Sequence, residues 1–142
     1  MTTIPTTPQV PARGPVIRPL LGWPLLPLPD ENGCLHYPDL ASSVRQTIQA
    51  ILATAPGEQL MRPGFGAGLE KLLHEPNTIA TRRQIKEAIE GALARWERRI
   101  LLDAVDVAEV PNAPSELRVQ IRYWLARTGA AASIGMTMTL EG

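Results

Sequence analysis

The stretch that decides the fold is Ile51–Pro76, ILATAPGEQLMRPGFGAGLEKLLHEP, which places prolines and closely spaced glycines between two apolar runs. Proline lacks a backbone donor and glycine permits positive φ angles, so the segment cannot be one regular element. Helical spacing of the apolar residues ends at Thr54 and returns at Leu69. We therefore predict a structured connector that turns first and is briefly extended over Gln59–Met61. The residues that we assign to shaping this connector are Pro56, Gly57, Arg62, Pro63, Phe65, Gly66 and Gly68.

Two helices are predicted to flank the connector. Asp39 precedes apolar residues that recur every three to four positions, which predicts a helix from about Leu40 to Ala53 with Asp39 as its N-cap. After the connector, Thr81 followed three residues later by Gln84 is a capping-box pattern, so we expect a second helix to begin there. The apolar face predicted for this second helix consists of Ile85, Ala88, Ile89, Ala92, Leu93 and Trp96.

The C-terminal third of the chain alternates between apolar and polar residues, which is typical of half-buried strands. The first strand runs through Leu101, Val105 and Val107 on one face, and Asp103 interrupts it in a way that indicates a bulge. The second strand covers 117–125 and the third 134–140. The predicted fold is α+β, with helices packed on one face of a three-stranded antiparallel meander.

An extended proline-rich N-terminal arm is predicted for residues 1–29, ahead of a folded domain over 30–142, because nine of the 14 prolines lie before residue 39. Apolar side chains between these prolines include Leu20, Leu21 and Trp23. A solvated linker would not need them. Two interpretations stay open: the arm packs along a neighbouring subunit, or it wraps its own domain.

Composition narrows the class of protein. The chain has 142 residues, 44% of them apolar, which suffices for one domain with a core. Because its formal net charge is zero, we expect no nucleic-acid partner. No long apolar run is present, so we expect neither a signal peptide nor membrane insertion. The single cysteine, Cys34, cannot form an internal disulfide and is interpreted as a small, half-buried apolar residue.

We find no constellation of residues that would carry catalysis. The glycines of the connector do not form a phosphate-binding loop, and the two histidines are too far apart in sequence to indicate a metal site. We therefore predict no catalytic, cofactor-binding or metal-binding residue. Paired carboxylates for glycoside cleavage could be composed from Glu58, Glu75, Glu97 and Asp103, but only a measured separation would give such a pair meaning.

A basic cluster beside Trp96 permits two interpretations. Arg95, Arg98 and Arg99 could interact with the helix C-terminus through its dipole, with Trp96 in the core. Alternatively, Glu97 and Arg99 face a partner at the corner between helix and strand. Spacing alone does not decide between them.

Several segments in order resemble the gpW/gene-25-like, or lysozyme-like, baseplate wedge family of contractile phage tails and related contractile injection systems. The residues that carry the resemblance are Ile51, Leu52, Thr54, Pro56, Gly57, Glu58, Met61, Arg62, Pro63, Phe65, Gly66, Gly68, Leu69, Leu72, Leu73, Glu75, Pro76, Asn77, Thr81, Arg82, Trp96, Glu97, Arg99, Ile100, Val105 and Val107. The resemblance implies a small structural subunit that contacts the helical bundle of larger baseplate wedge proteins. It also implies a role in starting assembly of the sheath subunit, by adding a strand at the edge formed by 101–107 or by 134–140.

The family carries a Glu-Pro-Arg signature at the end of its long helix, matched here by Glu97 and Arg99 with Arg98 in the place of proline. The resemblance therefore implies a partner-binding role for Glu97, Arg99 and the adjacent Trp96. Hub or tube-proximal proteins are further candidate partners, through the arm. Assembly in the cytoplasm is expected, as part of a phage tail, a secretion-system baseplate or an injection particle. The lysozyme-like label supplies the alternative, a peptidoglycan glycosidase, and we favour the non-enzymatic structural subunit.

Overall fold

The computed structural model describes residues 28–141, so the predicted arm lies outside the described residues except for its last two positions. Two helices and a three-stranded antiparallel sheet form an α+β fold, as predicted. The elements are α1 (Leu40–Ala53), a 3-10 helix (Leu69–Leu72), α2 (Ile79–Trp96), β1 (Ile100–Val110), β2 (Ala113–Leu125) and β3 (Ala131–Thr139).

Helix α1 has the bounds that the sequence predicts. The Asp39 carboxylate accepts a hydrogen bond of 2.8 Å from the backbone N–H of Ser42, as an N-cap does. Hydrogen bonds from Ser42 lower the pKa of Asp39. The buried stripe of α1 is apolar except for Ser43 and consists of Leu40, Ser43, Val44, Ile48, Ile51 and Leu52.

Helix α2 begins at Ile79, so the prediction that Thr81 caps it is wrong. The cap is Thr78, whose hydroxyl oxygen accepts a hydrogen bond of 3.1 Å from the backbone N–H of Thr81. The Thr81 hydroxyl instead donates to the carbonyl oxygen of Pro76 at 2.7 Å, and Thr81 itself is buried. The capping-box pattern therefore located the start of the helix only approximately, because it placed the N-cap three residues late.

Strand β1 contains the predicted bulge. A register shift after Leu102 leaves the backbone of Asp103 without a pairing partner on β2. The predicted inward position of Leu101 is wrong, because its side chain is 63% exposed while Ile100 is buried. The extra residue at the bulge reverses the alternation, so Val105 faces the core although it shares the parity of Leu101.

Strands β2 and β3 follow the predicted alternation. Every second residue of β2 from Leu117 to Leu125 is buried. On β3, Ile134 and Met138 are buried, and Leu140 is buried just past the strand end. Strand β2 begins at Ala113, four residues before its predicted start, because a tight turn with Asn112 at φ 68° joins it directly to β1.

The core lies between the sheet and the two helices. Side chains with no exposed surface from α1, α2 and the sheet meet there, among them Val44, Ile48, Ile51, Ile85, Ile89, Leu93, Val105, Leu117, Val119 and Ile121. Neither helix within 28–141 is long and apolar enough to cross a lipid bilayer.

Cys34 is exposed, so its predicted half-buried position is wrong. It lies in an exposed turn ahead of α1, where the Asp30 carboxylate accepts hydrogen bonds from the backbone N–H groups of Asn32 and Cys34. The turn is stabilised by these local hydrogen bonds, and so it does not depend on burial of the thiol.

Candidate partner-binding site

The connector is held against the end of α1 by a close backbone approach. The backbone N–H of Ala67 donates to the carbonyl oxygen of Ile51 at 2.9 Å. A Cβ atom at Gly66 would lie only 2.1 Å from the carbonyl oxygen of Thr54, and Gly66 has a φ of 111°. Only glycine fits this position without moving the backbone.

Between these contacts and Pro56, the connector is a series of turns. The backbone N–H of Arg62 donates to the carbonyl oxygen of Gln59 at 3.1 Å, and that of Phe65 donates to the carbonyl oxygen of Arg62 at 2.9 Å. The predicted extended piece over Gln59–Met61 is therefore wrong, because three-residue backbone hydrogen bonds close it into turns. These turns leave Leu60 and Met61 almost fully exposed, at 95% and 94%.

Phe65 packs the connector onto the end of α2. Its ring is 7% exposed and meets the ring of Trp96 edge to face, with centroids 5.3 Å apart at an interplanar angle of 61°. The guanidinium of Arg95 lies 5.0 Å from the centroid of Trp96, within the range of a cation–π contact. The half-buried Trp96 thus joins the connector to the corner where α2 ends.

Glu97 and Arg99 form a close ion pair at that corner. Glu97 is the C-cap of α2, and its side chain is 3% exposed. One carboxylate oxygen accepts hydrogen bonds from the backbone N–H of Arg99 at 3.0 Å and from its Nε at 2.8 Å. The other oxygen accepts from Nη2. The two oxygens and the guanidinium fork therefore lie in a bidentate geometry.

The same guanidinium extends to α1. Nη1 donates to the hydroxyl of Ser43 at 3.2 Å, and Nη2 donates to the hydroxyl of Thr47 at 2.9 Å. The hydrogen bond to Glu97 raises the pKa of Arg99, so the charge is present at any physiological pH. Arg99 thereby joins the end of α2, the start of β1 and the middle of α1.

Sequence reasoning missed Ser43 and Thr47. They lie one helical turn apart along the otherwise apolar inner side of α1, and this interruption was the only signal for them in the sequence. The side chain of Arg99 is 35% exposed, whereas Glu97 is buried. Of the three predicted partner-binding residues, Arg99 and Trp96 are therefore partly exposed to solvent. Glu97 is buried, and its contribution to the exposed surface is to hold Arg99 in position.

Strand β3 forms an open edge of the sheet. Its pairing with β2 runs without a shift over nine consecutive residues, from Ala131 to Thr139. Backbone hydrogen bonds from Leu125 to Ala130 and from Leu140 to Ser115 fix which β3 residues face β2. Because the backbone alternates, the odd-numbered residues from 133 to 139 direct their N–H and C=O groups away from the sheet.

A groove runs beneath this edge, between β3 and the helical layer. It has two compartments of about 380 and 260 Å³, which share Leu52, Ala53 and Met136 as lining residues. Leu69, Leu73 and Met138 line the larger compartment. Open backbone groups thus lie directly beside an apolar groove.

The four carboxylates considered for glycoside cleavage have unrelated surroundings. Both oxygens of Glu97 are bound by Arg99, and Asp103 lies 3.8 Å from Arg122 in an exposed ion pair. Glu58 accepts from the backbone N–H of Ala55 at 3.0 Å, and Glu75 lies in the exposed segment before α2. Over residues 28–141 no three His, Cys, Asp or Glu side chains are grouped so as to hold a metal ion.

Known proteins resemble the chain in sequence and in fold. Baseplate protein W of Escherichia phage P2 is 37% identical over 65 residues, which make up 46% of this chain and 56% of that protein. The match thus spans little more than half the length of that relative.

Two solved structures are similar over most of the chain. A proposed tail lysozyme from Geobacter sulfurreducens is 27% identical, with a TM-score of 0.69 over 77% of this chain and 98% of its own. A chain of the anti-feeding prophage baseplate is 29% identical, with a TM-score of 0.68 over 75% of this chain and 87% of its own.

The family model for baseplate wedge protein gp25 matches residues 38–130, which span α1, the connector, α2, β1 and β2. This chain therefore belongs to the baseplate wedge protein gp25 family.

Proposed function

We propose that the chain is a non-enzymatic subunit of the baseplate wedge in a contractile injection apparatus. In this role it binds the helical bundle of larger wedge proteins through the corner formed by Trp96, Glu97 and Arg99. It also helps to start sheath assembly by accepting a strand of a sheath subunit at the edge of its sheet. Family membership and the similarity to a chain of the anti-feeding prophage baseplate support the proposal.

The observation that carries the strand-addition step is the open β3 edge above an apolar groove. Outward N–H and C=O groups on β3 can pair with an incoming strand, and alternate side chains of that strand can enter the groove. The other edge, β1, suits this less well, because the bulge at Asp103 interrupts its register. We therefore assign strand addition to β3, with a partner segment in which apolar residues recur at every second position.

Support for the wedge-binding step comes from how the corner is built. Arg99 is fixed in position by Glu97, Ser43 and Thr47, and it retains about one-third of its surface. A cation held in this way loses little conformational freedom when a partner carboxylate or backbone carbonyl binds it. Trp96 supplies adjacent aromatic surface, and aromatic and arginine side chains are enriched among residues that dominate binding energy.

The peptidoglycan glycosidase remains the alternative, on account of the proposed tail lysozyme among the relatives. A glycosidase needs one carboxylic acid that holds a proton and a second carboxylate across the scissile bond. Both oxygens of Glu97 accept hydrogen bonds from Arg99, and its side chain is 3% exposed, so the carboxyl group is not free to reach a glycosidic oxygen. We therefore propose a structural role rather than a catalytic one.

Proline at the open edge tests the proposal. Gly135→Pro removes an N–H that faces away from β2, and no atom lies within 4 Å of the point where a side chain would begin. We expect the protein to stay folded and sheath polymerisation on isolated baseplates to fall at least about tenfold, since one or more intermolecular hydrogen bonds and the fit of the strand are lost. Electron microscopy of baseplates mixed with purified sheath subunit measures the extent of sheath polymerisation.

Two matched variants control the experiment. Gly135→Ala keeps the N–H, so we expect normal polymerisation. Met136→Pro removes an N–H that pairs with β2, so we expect a lower unfolding temperature as well as a loss of assembly. Normal sheath assembly with folded Gly135→Pro protein would contradict strand addition at β3.

A further inference from the structure

Leu60 and Met61 form an exposed apolar pair at the outermost turn of the connector. Their side chains are 95% and 94% exposed, the highest values among the large apolar residues of 28–141. Single exposed apolar residues are common on protein surfaces and need no explanation. Two adjacent ones on a protruding turn are different, because both can enter the same cavity of a partner.

The turn that carries this pair is closed by its own backbone hydrogen bonds and is anchored on its C-terminal side. Backbone hydrogen bonds link Arg62 to Gln59 and Phe65 to Arg62, at 3.1 and 2.9 Å. Phe65, which follows Met61 by four residues, is buried against Trp96. An apolar pair held by such contacts pays less ordering entropy on binding than one on a flexible loop.

The charges beside the pair indicate what the partner surface carries. Arg62 is exposed and forms no ion pair with any residue of 28–141. The guanidinium of Arg95 lies 5.0 Å from the centroid of the Trp96 ring and 3.6 Å from the point that a Cβ atom of Gly64 would occupy. The carboxylate of Glu58 is turned back onto the connector, where it accepts from the backbone N–H of Ala55, and it forms no ion pair with a described cation. One carboxylate and two cations therefore lie near the apolar tip, and carboxylates on a partner would complement the two cations.

We propose that the tip formed by Gln59–Arg62 inserts Leu60 and Met61 into an apolar cleft with carboxylates at its rim, on a neighbouring baseplate protein. This inference rests on the proposed function, because it requires that the chain is built into a baseplate. It adds a third contact, distinct from the Trp96–Arg99 corner and from the β3 edge. The partner is a protein rather than a membrane, since two apolar side chains offer too little surface for stable lipid insertion.

Protection of the tip on assembly tests the inference. In a Cys34→Ser background, which removes the single native cysteine, Met61→Cys and Ile79→Cys each place one thiol at an exposed apolar position. Labelling rates with a polyethylene glycol maleimide are compared between the isolated protein and purified baseplates. We expect both thiols to react rapidly in the isolated protein, and the rate at position 61 to fall at least tenfold in baseplates while that at position 79 does not.

The possible outcomes separate this inference from the proposed function. If the cysteine variants are recovered in baseplates and the thiol at position 61 still reacts rapidly, the tip contact is wrong and the baseplate role stands. The same conclusion follows if the thiols at positions 61 and 79 are protected equally. If either variant enters baseplates less well than the parent Cys34→Ser protein, the incorporation of Met61→Cys and of Ile79→Cys is measured in competition with the parent. A defect confined to Met61→Cys supports the tip contact, and an equal defect overturns it. Absence of the parent protein from baseplates would overturn the proposed function and this inference with it.

Charge reversal provides a second measurement. We expect Arg62→Glu to lower the fraction of chain recovered in baseplates at least fivefold, because it would place a carboxylate against the acidic rim. Arg127→Glu, at an exposed arginine between β2 and β3 that also lacks an ion pair within the described residues, should leave that fraction unchanged. Equal recovery of the two variants would contradict the charge complementarity on which the partner assignment depends.

Discussion

At the scale of single residues, the connector depends on the absence of a side chain at Gly66. The backbone there approaches the carbonyl oxygen of Thr54 so closely that a Cβ atom would lie 2.1 Å away. The sequence identified Gly66 as a shaping residue, but it could not distinguish this glycine from Gly57, whose φ is also positive and whose side-chain position is open space.

We predict that Gly66→Ala lowers the free energy of unfolding by about 3 kcal/mol, because it adds a backbone clash to an unfavourable φ. Gly57→Ala should cost only about 1 kcal/mol, since it meets strain without a clash. Urea denaturation measures both values. Equal losses at the two positions would show that the close approach to Thr54 does not determine the stability of the connector.

At the scale of elements, α2 shows how tertiary contacts move a helix cap. Thr78 and Thr81 both have the chemistry of an N-cap residue, and local sequence favoured Thr81 because Gln84 follows it. In the folded protein the Thr81 hydroxyl is buried and bound to the carbonyl oxygen of Pro76, which leaves Thr78 as the cap.

Strand β1 was also only partly predictable from local sequence. The interruption at Asp103 indicated the bulge, but the sequence did not show that the side chain of Leu101 faces solvent.

We expect Thr78→Ala to destabilise the protein by about 1 kcal/mol, the usual cost of removing an N-cap side chain. Thr78→Ser should retain most of the stability, because serine keeps the hydroxyl oxygen that accepts from the N–H of Thr81. Thermal unfolding followed by far-ultraviolet circular dichroism checks this. A loss with serine as large as that with alanine would mean that the methyl group, not the cap, stabilises the helix end.

At the scale of the whole molecule, Arg99 joins elements that are far apart in sequence. It binds Glu97 nearby and also Ser43 and Thr47, which are 56 and 52 residues away. The corner to which the resemblance assigns partner binding is therefore also a junction within the fold. Any test of its role in assembly has to separate the two functions.

We predict that Arg99→Ala lowers the free energy of unfolding by about 2–3 kcal/mol, because it leaves the buried Glu97 carboxylate without its cation. Arg98→Ala, at the adjacent exposed arginine, should change it by no more than about 0.5 kcal/mol. Urea denaturation measures the free energy of unfolding of both variants.

The same pair of variants examines wedge binding. Below the unfolding transition of both proteins, co-purification with co-expressed wedge proteins should be lost with Arg99→Ala and kept with Arg98→Ala. Retention of binding by Arg99→Ala, or by the double variant Glu97→Ala with Arg99→Ala, would remove the corner from the proposed interface.

Periodicity in the sequence determined α1, the apolar face of α2 and the alternation of β2 and β3, because each depends on local spacing that burial of one face imposes. It also located the connector through its prolines and glycines, and the resemblance singled out Glu97 and Arg99. The start of α2, the face of Leu101 and the turns over Gln59–Met61 were decided only by the tertiary structure. So were the contacts of Arg99 with Ser43 and Thr47 and the groove beneath β3. Each of these depends on which distant backbone or side-chain groups come within hydrogen-bonding or packing distance, and local spacing carries no information about such distances.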